Sequence, residues 1–204
     1  MKIVSITDYK IVIEALLNSK VAVVPTDTVY GLAAMPTSKE AVKKIYRIKQ
    51  RPDKFNLPIM VSKISELYDL GLDINHNALN LLQSPFVPGS ITLVLGFADS
   101  PRPEWLDGRD EVAVRIPNNQ FMLTILTGTG PLLVTSANKH NSQINMGLIS
   151  DILRDLEGGP DLIVDAGTLS DTSSTIVNCR YDKIQVEREG QVSIEQLQRY
   201  FHYE

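Results

Sequence analysis

Five short segments of this chain contain residues whose side chains can bind anionic groups. They lie far apart in the sequence, at residues 25–32 (PTDTVYGL), 49–52 (KQRP), 112–115 (VAVR), 135–138 (TSAN), and 173–175 (SST) followed by Arg188. Guanidinium and ammonium groups suit phosphate and carboxylate oxygens, and hydroxyls and amides add directional hydrogen bonds. This combination is typical of a shared cavity that holds an anionic ligand carrying a polyphosphate.

Lys49 and Arg51 are the cations of the second segment, two residues apart at the predicted end of a helix. If the chain is extended there, both side chains point to one face and can meet phosphate or carboxylate oxygens together. Ion pairing at the surface is the alternative, because it is the commoner fate of lysine and arginine. The spacing by itself leaves both interpretations open.

Residues 136–138 (SAN) follow a predicted strand directly, which is where α/β folds place ligand-binding loops. Taken alone they favour an ordinary turn, because Ser and Asn form local side-chain hydrogen bonds in turns. Thr26, Asp27, Thr28 and Tyr30 also follow a buried strand. They form either part of a site or a loop whose hydroxyls are satisfied internally.

Arg115 interrupts a strand that is otherwise suited to burial, residues 112–116 (VAVRI). A buried guanidinium requires an anionic partner because removing a charge from water is costly. An internal carboxylate and a bound ligand are the two candidates for that partner, and both remain open.

Composition excludes several classes of protein. The chain has 204 residues, 43% of them hydrophobic, which predicts one domain over residues 1–204 with a sizeable core. No apolar run reaches the roughly 18 residues of a membrane span, and Thr7 and Asp8 interrupt the N-terminal apolar residues, so we expect neither a membrane segment nor a secretory signal, and a cytoplasmic location. The net charge of −4 argues against a general nucleic-acid-binding surface. Cys179 is the only cysteine, which excludes an internal disulfide, and it is interpreted as a small strand residue.

The usual catalytic loops are missing. The chain contains no G-x-x-x-x-G-K-[ST] segment and no G-x-S-x-G segment, and the glycines at 128 and 130 precede Pro131 instead of opening a helix. The three histidines, His76, His140 and His202, have no paired-ligand spacing, so we predict no metal bound by the protein itself.

Apolar periodicity predicts alternating strands and helices, and hence a mixed α/β domain with a central sheet. The predicted strands are residues 2–6, 21–24, 57–61, 91–95, 112–116, 132–135, 162–164, 174–177 and 184–187. The predicted helices are residues 8–18, 38–49, 66–70, 78–82, 121–126, 150–156 and 193 to about 203. Capping signals are Thr37 with Glu40, Ser150 with Asp151, and Ser193 with Gln196.

Taken together, the segments resemble the YrdC family of threonylcarbamoyl-AMP synthases in its short, single-domain form. The likeness runs from about residue 21 to residue 190, and it also includes residues 87–95 (VPGSITLVL), 112–117 (VAVRIP) and 187–190 (EREG). Each motif is modest, but their common order makes the resemblance specific. One departure is residues 139–143 (KHNSQ), where the family usually has a small residue, Ser and Gly.

The resemblance implies a YrdC-like twisted mixed sheet with flanking helices around a deep, positively charged cavity. It implies an enzyme, a nucleotidyltransferase that makes threonylcarbamoyl-AMP and pyrophosphate from L-threonine, bicarbonate and ATP, with Mg²⁺ on the ATP phosphates. Downstream tRNA threonylcarbamoyl-transferase proteins would then use the product to form threonylcarbamoyladenosine in tRNA. The alternatives are a module that binds double-stranded RNA or tRNA, and a paralogue that makes a different carbamoyl- or acyl-adenylate.

The resemblance also assigns residues to the two substrates. Those implied for threonine or its carbamoyl group are Thr28, Tyr30, Arg115, Ser136 and Ser174. Those implied for ATP are Lys49, Arg51, Asn56, Asn138 and Arg188. Lys49 and Arg51 are the residues expected to act in catalysis, because fixed positive charge stabilises the phosphoryl oxygens and the departing pyrophosphate without a protein nucleophile.

Overall fold

Strands and helices alternate along much of the chain, and every predicted element overlaps an observed one. The computed structural model describes residues 1–106, 108–156, 158–181 and 183–200. The strands β1 to β10 are Lys2–Ser5, Ala22–Val24, Gly31–Ala34, Ile59–Met60, Ile91–Leu95, Val112–Arg115, Leu132–Ser136, Leu162–Asp165, Thr175–Asn178 and Gln185–Arg188. The helices α1 to α7 are Tyr9–Leu17, Lys39–Lys49, Ser65–Asp69, His76–Leu82, Gln120–Thr129, Ile149–Asp155 and Ile194–Leu197.

All ten described strands form one mixed sheet in the order β1-β8-β2-β3-β7-β4-β6-β5-β9-β10. The mixed α/β class is therefore confirmed. Strand β3 was not predicted, because its sequence, GLAA, has little of the β-branched and aromatic character of strands. It forms nevertheless because it is fully buried between β2 and β7, antiparallel to both.

Hydrophobic side chains form two cores, one on each face of the sheet. In β2, Val23 belongs to the larger core, whereas Ala22 and Val24 belong to the smaller one, as the alternation of side chains along a strand requires. Helices α1 and α5 cover the smaller core, and the other helices contribute to the larger core. On β5 and β9, the face opposite the larger core carries Thr92 and Ile176, which belong to neither core.

Two of the three predicted capping signals were wrong in position. Helix α2 is capped by Ser38, whose Oγ accepts a 3.2 Å hydrogen bond from the Ala41 amide, and not by Thr37. Helix α6 begins at Ile149 after Leu148, which has no side chain able to cap it, because the first turn starts one residue before the predicted Ser150.

The capping box at Ser193 is confirmed. The Ser193 amide donates to Oε1 of Gln196 over 2.9 Å, and the Gln196 amide donates to Oγ of Ser193 over 3.2 Å. Helix α7 continues as a 3₁₀ turn over Gln198–Tyr200. The predicted end of this helix, near residue 203, lies outside the described residues.

Cys179 follows the last residue of β9 and is 1% exposed. Burial raises the pKa of its thiol to about 12, so the reactive thiolate is strongly disfavoured. This environment agrees with the interpretation of Cys179 as a small packing residue, although it lies just beyond the strand. Among the described helices, none is long and apolar enough to cross a membrane.

Candidate functional site

A cavity of about 180 Å³ opens on the face of the sheet opposite the larger core. Three arginines from three separate parts of the chain line it, and its described lining contains no Asp or Glu side chain. Six of the residues assigned by resemblance line this cavity, namely Thr28, Arg51, Arg115, Ser136, Ser174 and Arg188. The structure thus brings together segments that the sequence scatters.

Strand register explains how those segments meet. Gly31 lies opposite Ser136 in the β3–β7 pair, which places the end of residues 25–32 beside the start of residues 136–138. In the parallel β5–β9 pair, Ile91 lies opposite Thr175, so residues 173–175 reach the same region. Strand β6, which ends at Arg115, lies between β4 and β5. The cavity therefore depends on the order of the central strands.

Arg115 is 6% exposed, and its anionic partner is an internal carboxylate. Its Nη2 lies 2.8 Å from Oδ1 of Asp27, while Nε donates to the Gly89 carbonyl over 2.9 Å and Nη1 to Oγ1 of Thr28 over 2.8 Å. Burial lowers the pKa of Arg115, and the Asp27 charge opposes that shift. Nη2 and Oδ1 are close enough for an ion pair, but neither has a well-aligned hydrogen bond. Arg115 thus has a protein partner and still faces the cavity.

The hydroxyls of Thr26 and Thr28 form a closed network beneath the cavity. Thr26 Oγ1 donates to the Val29 carbonyl over 2.6 Å and accepts from the Thr28 amide over 3.1 Å. The two hydroxyl oxygens are 3.0 Å apart, and because the Thr26 proton is used on Val29, Thr28 is the donor of that pair. The loop satisfies its own hydroxyls and also lines the cavity, so the two interpretations of this segment are compatible.

Helix α2 ends between the two predicted catalytic cations. Gln50 adopts a left-handed conformation (φ 49°), and the Arg51 and Gln50 amides donate to the Tyr46 and Arg47 carbonyls over 3.0 and 3.1 Å. This is a Schellman-type helix end, and it reverses the direction of the chain at Gln50. The predicted extended geometry, with both side chains on one face, was therefore wrong, because Lys49 is still helical.

Lys49 is 2% exposed and lies behind the cavity wall. Its Nζ donates to the Ser136 and Asn138 carbonyls over 2.5 and 2.6 Å and lies 3.4 Å from Oδ1 of Asn138. Burial first, and the charge of Arg51 second, lower its pKa to about 7, while Asp155 opposes the shift. The ammonium group therefore holds the loop that follows β7.

Arg51 lies at the cavity surface. Its Nε and Nη2 donate to the Phe55 and Asn56 carbonyls, each over 3.3 Å, and its guanidinium carbon is 5.3 Å from the centre of the Phe55 ring. Burial lowers the pKa of Arg51. These contacts fix the planar fork while leaving part of it open to the cavity.

Ser136 and Asn138 share one hydrogen-bonded turn. Ser136 Oγ donates to Asn138 Oδ1 over 2.6 Å, and Asn138 Nδ2 donates to the Ser142 carbonyl over 3.0 Å. Ser136 also lines the cavity. Both interpretations of this segment thus hold, because a locally satisfied turn supplies one side chain to the site.

The hydroxyls of Ser174 and Thr92 form another pair in the cavity lining, and Ser174 lies beside Arg188. Ser174 Oγ is 2.8 Å from Oγ1 of Thr92, and the Ser174 carbonyl accepts a 2.7 Å hydrogen bond from Nη2 of Arg188. Burial, followed by the charge of Arg115, lowers the pKa of Arg188. The position of Arg188, part of which stays open to solvent, is therefore set by the chain that precedes β9.

Four residues assigned by resemblance lie outside the cavity lining, namely Tyr30, Lys49, Asn56 and Asn138. Tyr30 is fully buried, and its hydroxyl donates to the Gly167 carbonyl over 2.7 Å and accepts from the Ala166 amide over 3.0 Å. Burial raises its pKa. Asn56 is exposed, and its carbonyl supports Arg51.

Sequence reasoning did not assign Thr92, Met60 or Asp155 to the site. Thr92 and Met60 line the cavity, and Asp155 supports the loop beside it. Thr92 is a polar residue in the otherwise apolar strand β5, and Arg115 was noticed because it is a polar residue in an apolar strand. The same pattern could therefore have identified Thr92. Asp155 lies in the last turn of α6, where an acidic side chain opposes the helix dipole, so its position also needed an explanation.

Comparison with known proteins identifies the family. A family model described as "Telomere recombination", covering Sua5, YciO and YrdC proteins, matches residues 14–190. This chain belongs to that family. The threonylcarbamoyl-AMP synthase of Bacillus subtilis is 33% identical over 186 residues, which cover 90% of this chain and 53% of the relative. YciO of Escherichia coli, an uncharacterized protein, is 31% identical over 180 residues, which cover 87% of this chain and 86% of YciO.

Solved structures of this family share the fold. The structure of P. abyssi Sua5 complexed with L-threonine matches with a TM-score of 0.87 and 26% identity over 98% of this chain and 61% of that one. E. coli YciO matches with a TM-score of 0.82 and 27% identity over 96% of both chains. The chain thus spans about half the length of the Bacillus subtilis synthase, at 53%, and most of YciO.

Proposed function

We propose that this protein is an L-threonylcarbamoyladenylate synthase, which converts L-threonine, bicarbonate and ATP into threonylcarbamoyl-AMP and pyrophosphate. The observation that supports it most is the convergence of three arginines and several hydroxyls on one cavity whose described lining has no carboxylate. The similarity to a threonylcarbamoyl-AMP synthase and to a Sua5 structure complexed with L-threonine points the same way. The product would pass, in the cytoplasm, to the proteins that modify tRNA.

The charges of the cavity suit this reaction. An oxygen of threonine carbamate attacks the α-phosphate of ATP, and negative charge grows on the phosphoryl oxygens and the leaving pyrophosphate. Arg51 and Arg188 present guanidinium groups already held by backbone carbonyls, so they can stabilise that charge with little reorganisation. No protein nucleophile is needed.

The deeper part of the cavity suits threonine and its carbamate. Arg115 lies there, bonded to the hydroxyl of Thr28, and Ser174 also lines the cavity. Carbamates lose CO₂ in water, and the apolar side chains of Met60 and Ile176 reduce the space available to water. Ser136 completes this group of hydrogen-bonding side chains.

The size of the cavity supports a partly external position for ATP. Its volume of about 180 Å³ is below the roughly 300–1,000 Å³ of pockets that enclose whole ligands. Threonine and the reacting phosphate would occupy the cavity, and the rest of the nucleotide would lie beyond Arg51 and Arg188. Mg²⁺ would arrive with the ATP phosphates, whose oxygens are the ligands that this ion prefers. Among the described residues, no three or more His, Cys, Asp or Glu form a cluster that could hold a metal ion.

Pyrophosphate release tests the proposal. ATP is supplied with L-threonine and bicarbonate, separately and together, and release is expected only when both are present. Arg51→Ala should reduce the rate about a hundredfold or more, as loss of a preorganised charge does. Arg47→Ala is the matched control, because Arg47 lies four residues before Arg51, in the last turn of helix α2, and is exposed. Equal rates in the two variants would reject the assigned site.

The similarity to YciO over most of both chains supports a second candidate, a family member that makes a different carbamoyl- or acyl-adenylate. Release that requires another amino acid or acid in place of L-threonine would establish it. No contact among the described residues favours the RNA-binding alternative. Salt-sensitive binding of double-stranded RNA or tRNA by a protein that neither binds nor cleaves ATP would support that alternative instead.

A further inference from the structure

The loop of residues 136–142 is held from two sides by buried or half-buried charged groups. On one side, Lys49 Nζ binds the Ser136 and Asn138 carbonyls, and the Lys49 carbonyl accepts a 2.8 Å hydrogen bond from the His140 amide. Lys49 is also the helical residue two positions before Arg51. The loop and Arg51, which border the cavity together, are therefore fixed relative to each other through one side chain.

On the other side, the loop is held by Asp155, at the end of α6. Its Oδ2 accepts a 2.6 Å hydrogen bond from the Lys139 amide, and its Oδ1 accepts a 2.6 Å hydrogen bond from the Ser142 hydroxyl. Short hydrogen bonds to a carboxylate are stronger than neutral ones. A single carboxylate thus spans the part of the loop that lies beyond Asn138.

The position of Asp155 is electrostatically unfavourable for the helix that carries it. An acidic side chain in the last turn of a helix opposes the helix dipole, so the position is unfavourable for α6 itself. The carboxylate instead serves the loop, whose residues 139–143 make no regular secondary structure. Asp155 lies outside the cavity lining, so it acts on a ligand only through the groups around it, which are the loop that it holds and the nearby charge of Lys49.

We propose that Asp155 is a positioning residue for ATP, which fixes the loop of residues 136–142 against Lys49 and so sets the position of Asn138, the loop residue assigned to ATP, relative to Arg51. The inference rests on the proposed function, in which Arg51 binds the ATP phosphates. Ser136 itself ends strand β7 and is held by pairing with Gly31, so threonine binding depends less on Asp155. The Ala137 amide still donates to the Tyr30 carbonyl over 2.9 Å, and the described part of the loop beyond Ala137 pairs with no strand.

The experiment compares Asp155→Ala with Asp151→Ala. Asp151 lies on the same helix but pairs with Arg154 and not with the loop. In Asp155→Ala, amide hydrogen exchange at Lys139 and His140 should accelerate, and the KM for ATP should rise about tenfold, since two hydrogen bonds to a charged group are lost. The KM for L-threonine should stay within about twofold, because Ser136 remains anchored in the sheet. Ser142→Ala, which removes one of the two bonds, should show a smaller change of the same kind.

Unchanged exchange at Lys139 and His140, or equal increases of both KM values, would overturn the positioning role. If Asp155→Ala does not fold, Ser142→Ala decides by the same two measurements. Hydrogen exchange requires no turnover. It therefore tests whether Asp155 holds the loop even if the wild-type protein releases no pyrophosphate. The absence of pyrophosphate release by the wild-type protein would reject the proposed function and, with it, the ATP-positioning role. The exchange rates would still show whether Asp155 holds the loop.

Discussion

Arg115 and Thr28 are joined by a 2.8 Å hydrogen bond in which Nη1 donates to Oγ1, although 87 residues separate them. Both residues are buried, with 6% and 1% of their surface exposed. The bond joins the end of β6 to the loop before β3, across the central strands of the sheet. The geometry of the deepest part of the cavity is therefore a property of the whole sheet and not of one loop.

Removing the acceptor of this bond should affect both stability and ligand binding. Thr28→Val keeps the shape of the side chain but leaves Nη1 of Arg115 without its partner, which costs about 1–3 kcal/mol of the free energy of unfolding. Urea denaturation measures that loss, and calorimetric titration should show weaker L-threonine binding. Thr28→Ser retains the oxygen and serves as the control. Equal stability of Thr28→Val and wild type would show that the bond contributes nothing net.

The ion pair of Arg115 with Asp27 should behave as a coupled unit. Arg115→Met leaves the Asp27 carboxylate, 13% exposed, without its cation, and should lower the free energy of unfolding by about 3–5 kcal/mol. The double variant Asp27→Asn with Arg115→Met should be more stable than Arg115→Met alone, because the unpaired charge is gone. Denaturation of the four proteins completes a double-mutant cycle, and additive losses would contradict the coupling.

Lys49 should make stability depend on pH in a defined direction. Burial lowers its pKa from 10.5 to about 7, so between these values the unfolded chain holds the proton more tightly than the folded chain. The free energy of unfolding then rises with pH in that window, by about 2 kcal/mol from about pH 7 to about pH 9. Below about pH 7 both states are protonated and the contribution is constant.

Lys49→Met lacks this titration, so the difference in free energy of unfolding between wild type and variant isolates it. In urea denaturation at several pH values, the free energy of unfolding of the wild type should increase relative to that of Lys49→Met as the pH rises. A difference that stays constant over the whole window would mean that the Ser136 and Asn138 carbonyls keep Lys49 protonated at its usual pKa.

Gly190 should be intolerant of a side chain. A Cβ at this position would overlap the Ser173 carbonyl oxygen and the Ser174 backbone, and the Ser174 carbonyl is what holds Arg188. Gly190→Ala should cost about 1–3 kcal/mol of stability by overpacking, and it should weaken ATP binding because Arg188 is displaced. Gly96→Ala is the control, since a Cβ there meets only the Arg180 side chain at 4.0 Å. Thermal denaturation and nucleotide titration measure both effects; wild-type values for Gly190→Ala would contradict the close packing.

Much of the candidate site could be predicted because its residues lie at strand ends, where motifs in sequence become neighbours in space. Ser136 follows a predicted strand and Arg115 is a charge within an apolar strand, but Ser136 and Ser174 were assigned to the site only through the family resemblance. The orientation of Lys49 could not be predicted, because it depends on Gln50 entering a left-handed conformation that glycine usually occupies. Strand β3 was missed because its burial, and not its propensity, makes it a strand.

The burial of Cys179 gives this protein a built-in reporter of unfolding. It is the only thiol of the chain, it is 1% exposed, and its raised pKa suppresses the thiolate that alkylating reagents attack. The native protein should therefore resist such reagents without loss of activity, since the thiol is not part of the cavity lining. Labelling then proceeds only through opening of the core around β9, so the labelling rate measures how often that core opens. A decrease in this rate when a ligand is added measures how far the ligand suppresses the opening.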